Sequence, residues 1–124
     1  MRIFRRYSQA VVVILLTAGV MILAGCEDND HSHKPPAGQG SIIVDNQSLD
    51  IIHVYIDGYY TNDVGDYDYE AYDRLPGLYR VVLDQKGGSR SYSHDVDVLE
   101  GKLTVLEVWI NEVDRRYNIR VYYE

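Results

Sequence analysis

From residue 40 onward, apolar side chains recur at every second position. Ile42 and Val44 alternate with Ser41, Ile43 and Asp45; Ile52, Val54 and Ile56 alternate with His53, Tyr55 and Asp57; Tyr79, Val81 and Leu83 alternate with Arg80, Val82 and Asp84. A period of two sends successive side chains to opposite faces of an extended chain, so each run predicts a strand with one face on a core. The same reading extends to Val96 and Val98 between Asp95, Asp97 and Glu100, to residues 103–110, and to Tyr117, Ile119, Val121 and Tyr123. Turn-forming residues separate the runs, among them Asp57-Gly58, Pro76-Gly77, Gly87-Gly88 and Glu100-Gly101. No segment after residue 40 shows a comparable helical period. The pattern predicts an all-β domain over residues 41–124, a small antiparallel β-sandwich of about seven strands.

Ahead of it the pattern is different. Arg2, Arg5 and Arg6 precede an apolar run over residues 10–24, and small residues then lead to Cys26, the sole cysteine, before Glu27, Asp28 and Asp30. This basic, apolar and small-residue layout is that of a secretory signal. The apolar run falls short of the roughly 20 residues that a membrane-crossing helix needs. Leu23-Ala24-Gly25-Cys26 resembles the lipobox of bacterial lipoproteins. The resemblance implies cleavage between Gly25 and Cys26, a diacylglycerol on the Cys26 thiol, and an acyl chain such as palmitate on the new amino group. One such chain anchors a protein only marginally, whereas two or three hold it stably. Residues 1–25 are thus expected to be a cleaved signal peptide. Residues 26–40, polar and carrying Pro35-Pro36, are expected to be a lipidated, disordered tether.

The strand segments resemble the PEGA-type and other prealbumin-like β-sandwich modules of bacterial surface proteins. The matching features are Gly40-Ser-Ile-Ile-Val44, Val54-Tyr-Ile-Asp-Gly58, Leu75-Pro-Gly-Leu-Tyr-Arg-Val81 and the Gly101-Lys-Leu-Thr104 strand opening. Leu75-Pro-Gly-Leu78 stands where the four-residue family motif would be, and a further strand follows. Modules of this type are usually non-catalytic, which implies a binding or structural role.

Charge narrows the partners. All 19 acidic residues follow Gly25, and nine basic residues accompany them, so the chain from Cys26 carries a net −10. Nucleic acid is therefore excluded as a partner, because the phosphate backbone demands basic surface. A single cysteine cannot form an internal disulfide.

Candidate chemistry concentrates in residues 59–74, Y-Y-T-N-D-V-G-D-Y-D-Y-E-A-Y-D-R. If this stretch were one strand, Asp66, Asp68 and Glu70 would share a face, a weak candidate for a cation, and Tyr67 and Tyr69 would share the other. The spacing does not fit an EF-hand, since Ala71 stands where the loop needs glycine. No metal or other cofactor is expected, and His31 and His33 in the tether are too loosely held to make a strong site. Twelve tyrosines against one Phe and one Trp suggest a wet interface, because phenols combine an apolar body with a polar tip. Tyr59, Tyr60, Tyr67, Tyr69 and Tyr72 are the candidate binding surface; Trp109 is expected in the core. Ser91, Ser93, His94 and Asp95 alternate along one strand, and His53 stands apart, so no catalytic triad converges locally. The expected protein is a non-enzymatic, lipid-anchored component of the cell envelope, outside the cytoplasm. It meets the membrane through its lipid and an envelope protein or polysaccharide through its sandwich. A carbohydrate- or peptidoglycan-binding module is the alternative, marked by aromatics exposed on one sheet face. A small envelope hydrolase is the second, requiring polar groups from separate strands to meet in a cleft.

Overall fold

The structure, a computed structural model, describes residues 31–124. The expected signal peptide, the expected cleavage point between Gly25 and Cys26, and Cys26 itself lie outside the described residues. A compact unit spans His33–Glu124. Residues 31–39 form neither helix nor strand. Within the compact unit, His33 Nε2 meets Asp73 Oδ1 at 2.6 Å, and Gly101 donates its N–H to Gln39 O at 2.9 Å.

Eight strands follow: β1 (Gly40–Asn46), β2 (Ile52–Ile56), β3 (Tyr59–Val64), β4 (Tyr69–Arg74), β5 (Gly77–Gln85), β6 (Ser91–Val98), β7 (Leu103–Ile110) and β8 (Tyr117–Tyr123). They form two four-stranded sheets, ordered β4-β1-β7-β8 and β3-β2-β5-β6. The all-β sandwich is as the alternation predicts, with two corrections. Among the described residues there are eight strands rather than about seven, because residues 59–74 make two strands around a turn. The sandwich is also not wholly antiparallel: β1 and β7 pair in parallel, Ser41 against Leu103 through Asn46 against Val108. Parallel neighbours need a crossover, and here the four intervening strands of the chain in the second sheet supply it.

The core lies between the sheets and takes the alternating positions in turn: Ile42 and Val44 of β1, Ile52, Val54 and Ile56 of β2, Val81 and Leu83 of β5, Val96 and Val98 of β6, Leu106 and Val108 of β7. Ile43, on the opposite side of β1, is also fully buried, in a second cluster with Leu103 and Val105 against Ala71 and Tyr122. β1 is therefore buried on both faces at Ile42, Ile43 and Val44.

Hairpin turns obey local chemistry. At Asp57-Gly58 both residues have positive φ, 50° and 83°, the combination that the tightest two-residue hairpins require and that Asp-Gly supplies at low cost. Gly40 is needed for another reason: a Cβ there would lie 2.2 Å from the carbonyl oxygen of Leu99. Only glycine lets β1 start against the β6–β7 turn.

The connections fall at two ends. β1 begins at the proximal end, where residues 57–58, 75–76 and 99–102 turn. The distal end gathers residues 47–51, 65–68, 86–90 and 111–116.

Candidate functional site

An open cleft of about 480 Å³ occupies the distal end. Ligand pockets run from roughly 300 to 1,000 Å³, so the cleft is large enough for a small molecule or the end of a polymer. Its walls come from distant parts of the chain: Leu49 from the β1–β2 loop, Tyr67 from the β3–β4 turn, and Trp109, Glu112 and Arg115 from the end of β7 and the β7–β8 loop. Leu49 and Tyr67 are 76% and 64% exposed, unusually wet for side chains of their size.

The floor is built from charge. Asp50 accepts two bonds from Arg90, Nε at 3.0 Å and Nη2 at 3.2 Å, one from the Tyr117 hydroxyl at 3.0 Å and one from Gln85 at 3.3 Å. The Arg90 guanidinium, bonded to the carboxylate, holds Asp50 below the usual carboxylate range against the opposing effect of burial. Burial, reinforced by the bond to Asp50, pushes the Tyr117 phenol up. Arg90 also donates to the backbone oxygen of Arg115, which ties the β7–β8 loop to the floor.

Asn46 locks the neighbouring wall. Fully buried, it donates to the carbonyl oxygens of Asp50 at 2.7 Å and Gly65 at 3.0 Å, and accepts from Ser48 N and Oγ at 3.1 and 2.6 Å. Every hydrogen-bonding position of its amide is used, so the β1–β2 loop and the β3–β4 turn are pinned together. Tyr67 N–H then donates to Ser48 O at 3.2 Å.

Three non-glycine residues among those described have positive φ, and two of them, Tyr67 (52°) and Arg115 (61°), stand on the cleft walls. A large side chain in the left-handed region is strained by about 1–2 kcal/mol, and such strain gathers at functional positions.

The expected binding surface divides. Tyr67 and Tyr69 lie at the distal end, Tyr59 and Tyr60 at the proximal end of β3, and the length of the strand separates the pairs. Tyr72 is a correction: only 7% exposed, it belongs to the core, where its hydroxyl donates to Asn62 and burial lifts its phenol to about 12. The proposed carboxylate face is also corrected. Asp66 and Tyr67 occupy a turn closed by Asp68 N–H to Gly65 O at 3.3 Å, so Asp66, Asp68 and Glu70 do not share one strand face. Among the described residues no three His, Cys, Asp or Glu side chains converge as metal ligands. Trp109, expected inside, is half-buried and lines the cleft, because its neighbour Val108 takes the inward position. Asn46, Asp50 and Arg90 carry no motif in the sequence.

No protein-family model matches the chain, and no curated protein matches it. Among solved structures, the N-terminal domain of AlgF from P. aeruginosa is similar, with a TM-score of 0.50 and 16% identity over 69% of this chain and 95% of that one. At this identity the likeness concerns the fold alone.

Proposed function

We propose that the protein is a lipid-anchored component of the cell envelope whose sandwich is a binding module, with the distal cleft as its ligand site. The observation that carries this reading is the opposition of the two ends. The chain reaches β1 at the proximal end, coming from Cys26, while the cleft opens at the distal end. β1 has seven residues and so a span of about 23 Å. A lipid on Cys26 would leave seven residues, 26–32, before the compact unit begins at His33, a reach of at most about 25 Å, and the cleft lies at the end of the sandwich opposite the one where β1 begins.

Binding, rather than bond cleavage, suits the chemistry of the cleft. Asp50, its most enclosed acid, is already saturated by Arg90, Tyr117 and Gln85, and serves as a structural floor. The walls are aromatic and aliphatic, with Glu112 and Arg115 to orient a polar ligand. The locked loops add to the case, since a wall that is already ordered loses little freedom when a ligand arrives.

A photo-crosslinking residue at Tyr67, in intact cells, should form adducts with an envelope component, and one at Glu100 on the proximal end should not. Equal adducts from both positions, or none from Tyr67, would remove the cleft from this role.

A further inference from the structure

The outer face of the second sheet carries an aromatic patch that neither the core nor the cleft uses. β2 turns His53 and Tyr55 outward, and across from them β5 turns Asp84 and Val82. On β3 a bulge intervenes: Val54 pairs with Asn62 but Tyr55 pairs with Tyr60, so Thr61 is one residue too many, its hydroxyl donating to Val54 O at 2.8 Å. Strict alternation would send Tyr60 and Asp63 to opposite faces; the bulge brings them to the same one. Two rows result, Tyr60-Tyr55-Val82 and Asp63-His53-Asp84.

Tyr60 is fixed although 54% exposed. Its hydroxyl donates to Asp63 Oδ1 at 2.8 Å, its ring lies edge-on to His53 at 5.9 Å, and Tyr55 flanks it at 5.6 Å. Asp63 is in turn bonded to His53 Nδ1 and faces Lys86 Nζ at 3.7 Å. Asp84 accepts the Ser91 hydroxyl at 2.6 Å and offers its remaining lone pairs to solvent. A ring held in this way binds without a large loss of side-chain freedom.

Phenol faces attract ammonium groups, and carboxylates beside them form charge-assisted hydrogen bonds with the same groups. An open strand face suits an extended chain of rings. The net −10 of the chain from Cys26 repels anionic polymers and favours cationic ones. We propose that this face binds an amine-bearing polysaccharide, its sugar rings on Tyr55 and Tyr60 and an ammonium group toward Asp84. The site is separate from the cleft and independent of it.

Calorimetric titration of the full-length protein in detergent with a glucosamine hexamer tests this. Binding is expected, and the double variant Tyr55→Ala/Tyr60→Ala should weaken it by about tenfold or more, as loss of aromatic anchors does. Tyr67→Asn, at the distal end, should leave it unchanged, which separates this face from the cleft. Asp84→Asn, which keeps the strand pairing, gives a second reading and should weaken the amine polymer but not its fully N-acetylated counterpart. No binding of the hexamer, equal binding of hexalysine, undiminished binding by the double variant in a folded state, or undiminished binding by Asp84→Asn would each overturn the proposal.

Discussion

Tyr67 and Tyr72 stand five positions apart with opposite fates, one strained and wet, the other in the core. Tyr67 occupies a turn position that usually carries glycine or asparagine. Tyr67→Asn should therefore hold or raise stability, by up to about 1 kcal/mol, whereas Tyr72→Ala should lose about 3–5 kcal/mol, the cost of deleting a buried ring. Chemical denaturation of the two variants checks the contrast. Alternation gives the two opposite faces but sets Tyr72 on the parity of Asp66, Asp68 and Glu70, which reads as wet; its burial comes from its place on β4 opposite Ile42 of β1, a pairing that spacing does not report. Asp50 was illegible for a different reason: its partners Gln85, Arg90 and Tyr117 are 35, 40 and 67 positions away. Its folded pKa is lowered, so it contributes stability above its unfolded pKa of about 3.9 and loses that contribution as pH falls through the folded value. Asp50→Ala should cost about 2 kcal/mol at pH 7, and the gap between the melting curves of the variant and the wild type should begin to narrow only as pH falls below about 4.

Strands were legible where one face is wet and the other dry. β2 and β5 show that contrast, with Ile52, Val54 and Ile56 and with Val81 and Leu83 turned inward. β3 and β4 did not, because they are edge strands whose burial is partial and whose sequence is dominated by Tyr, Asp and Asn. The parallel β1–β7 pair was hidden because alternation reports which face a side chain takes and not which strand lies alongside. Gly40 reveals the pair once the structure is known, since β1 starts in contact with the turn that leads into β7. Gly40→Ala pushes a methyl group into the Leu99 carbonyl and the Val98 side chain, and should destabilise by about 1–3 kcal/mol, the usual cost of overpacking. A thermal melt indistinguishable from wild type would show that the β6–β7 turn yields freely.

For the whole molecule, a basic and apolar front, a short polar stretch and an acidic sandwich follow one another along the chain. The sandwich places a cleft with Tyr67, Trp109 and Arg115 at the end opposite the one where β1 begins. That arrangement acquires a functional sense under the proposed anchor at Cys26, because the cleft lies at the end of the sandwich opposite the one where β1 begins. The lipobox resemblance was legible because it is local, with its four residues and their flanks contiguous; the cleft was not, because its walls meet only in the folded chain. The most direct measurement is the mass of the N-terminal peptide of the protein isolated from the membrane fraction of the cells that make it. The expected result is a peptide beginning at Cys26, with a diacylglyceryl thioether on sulfur and an acyl chain on its amino group. A chain that still begins at Met1 with an unmodified Cys26 thiol would contradict the anchored reading.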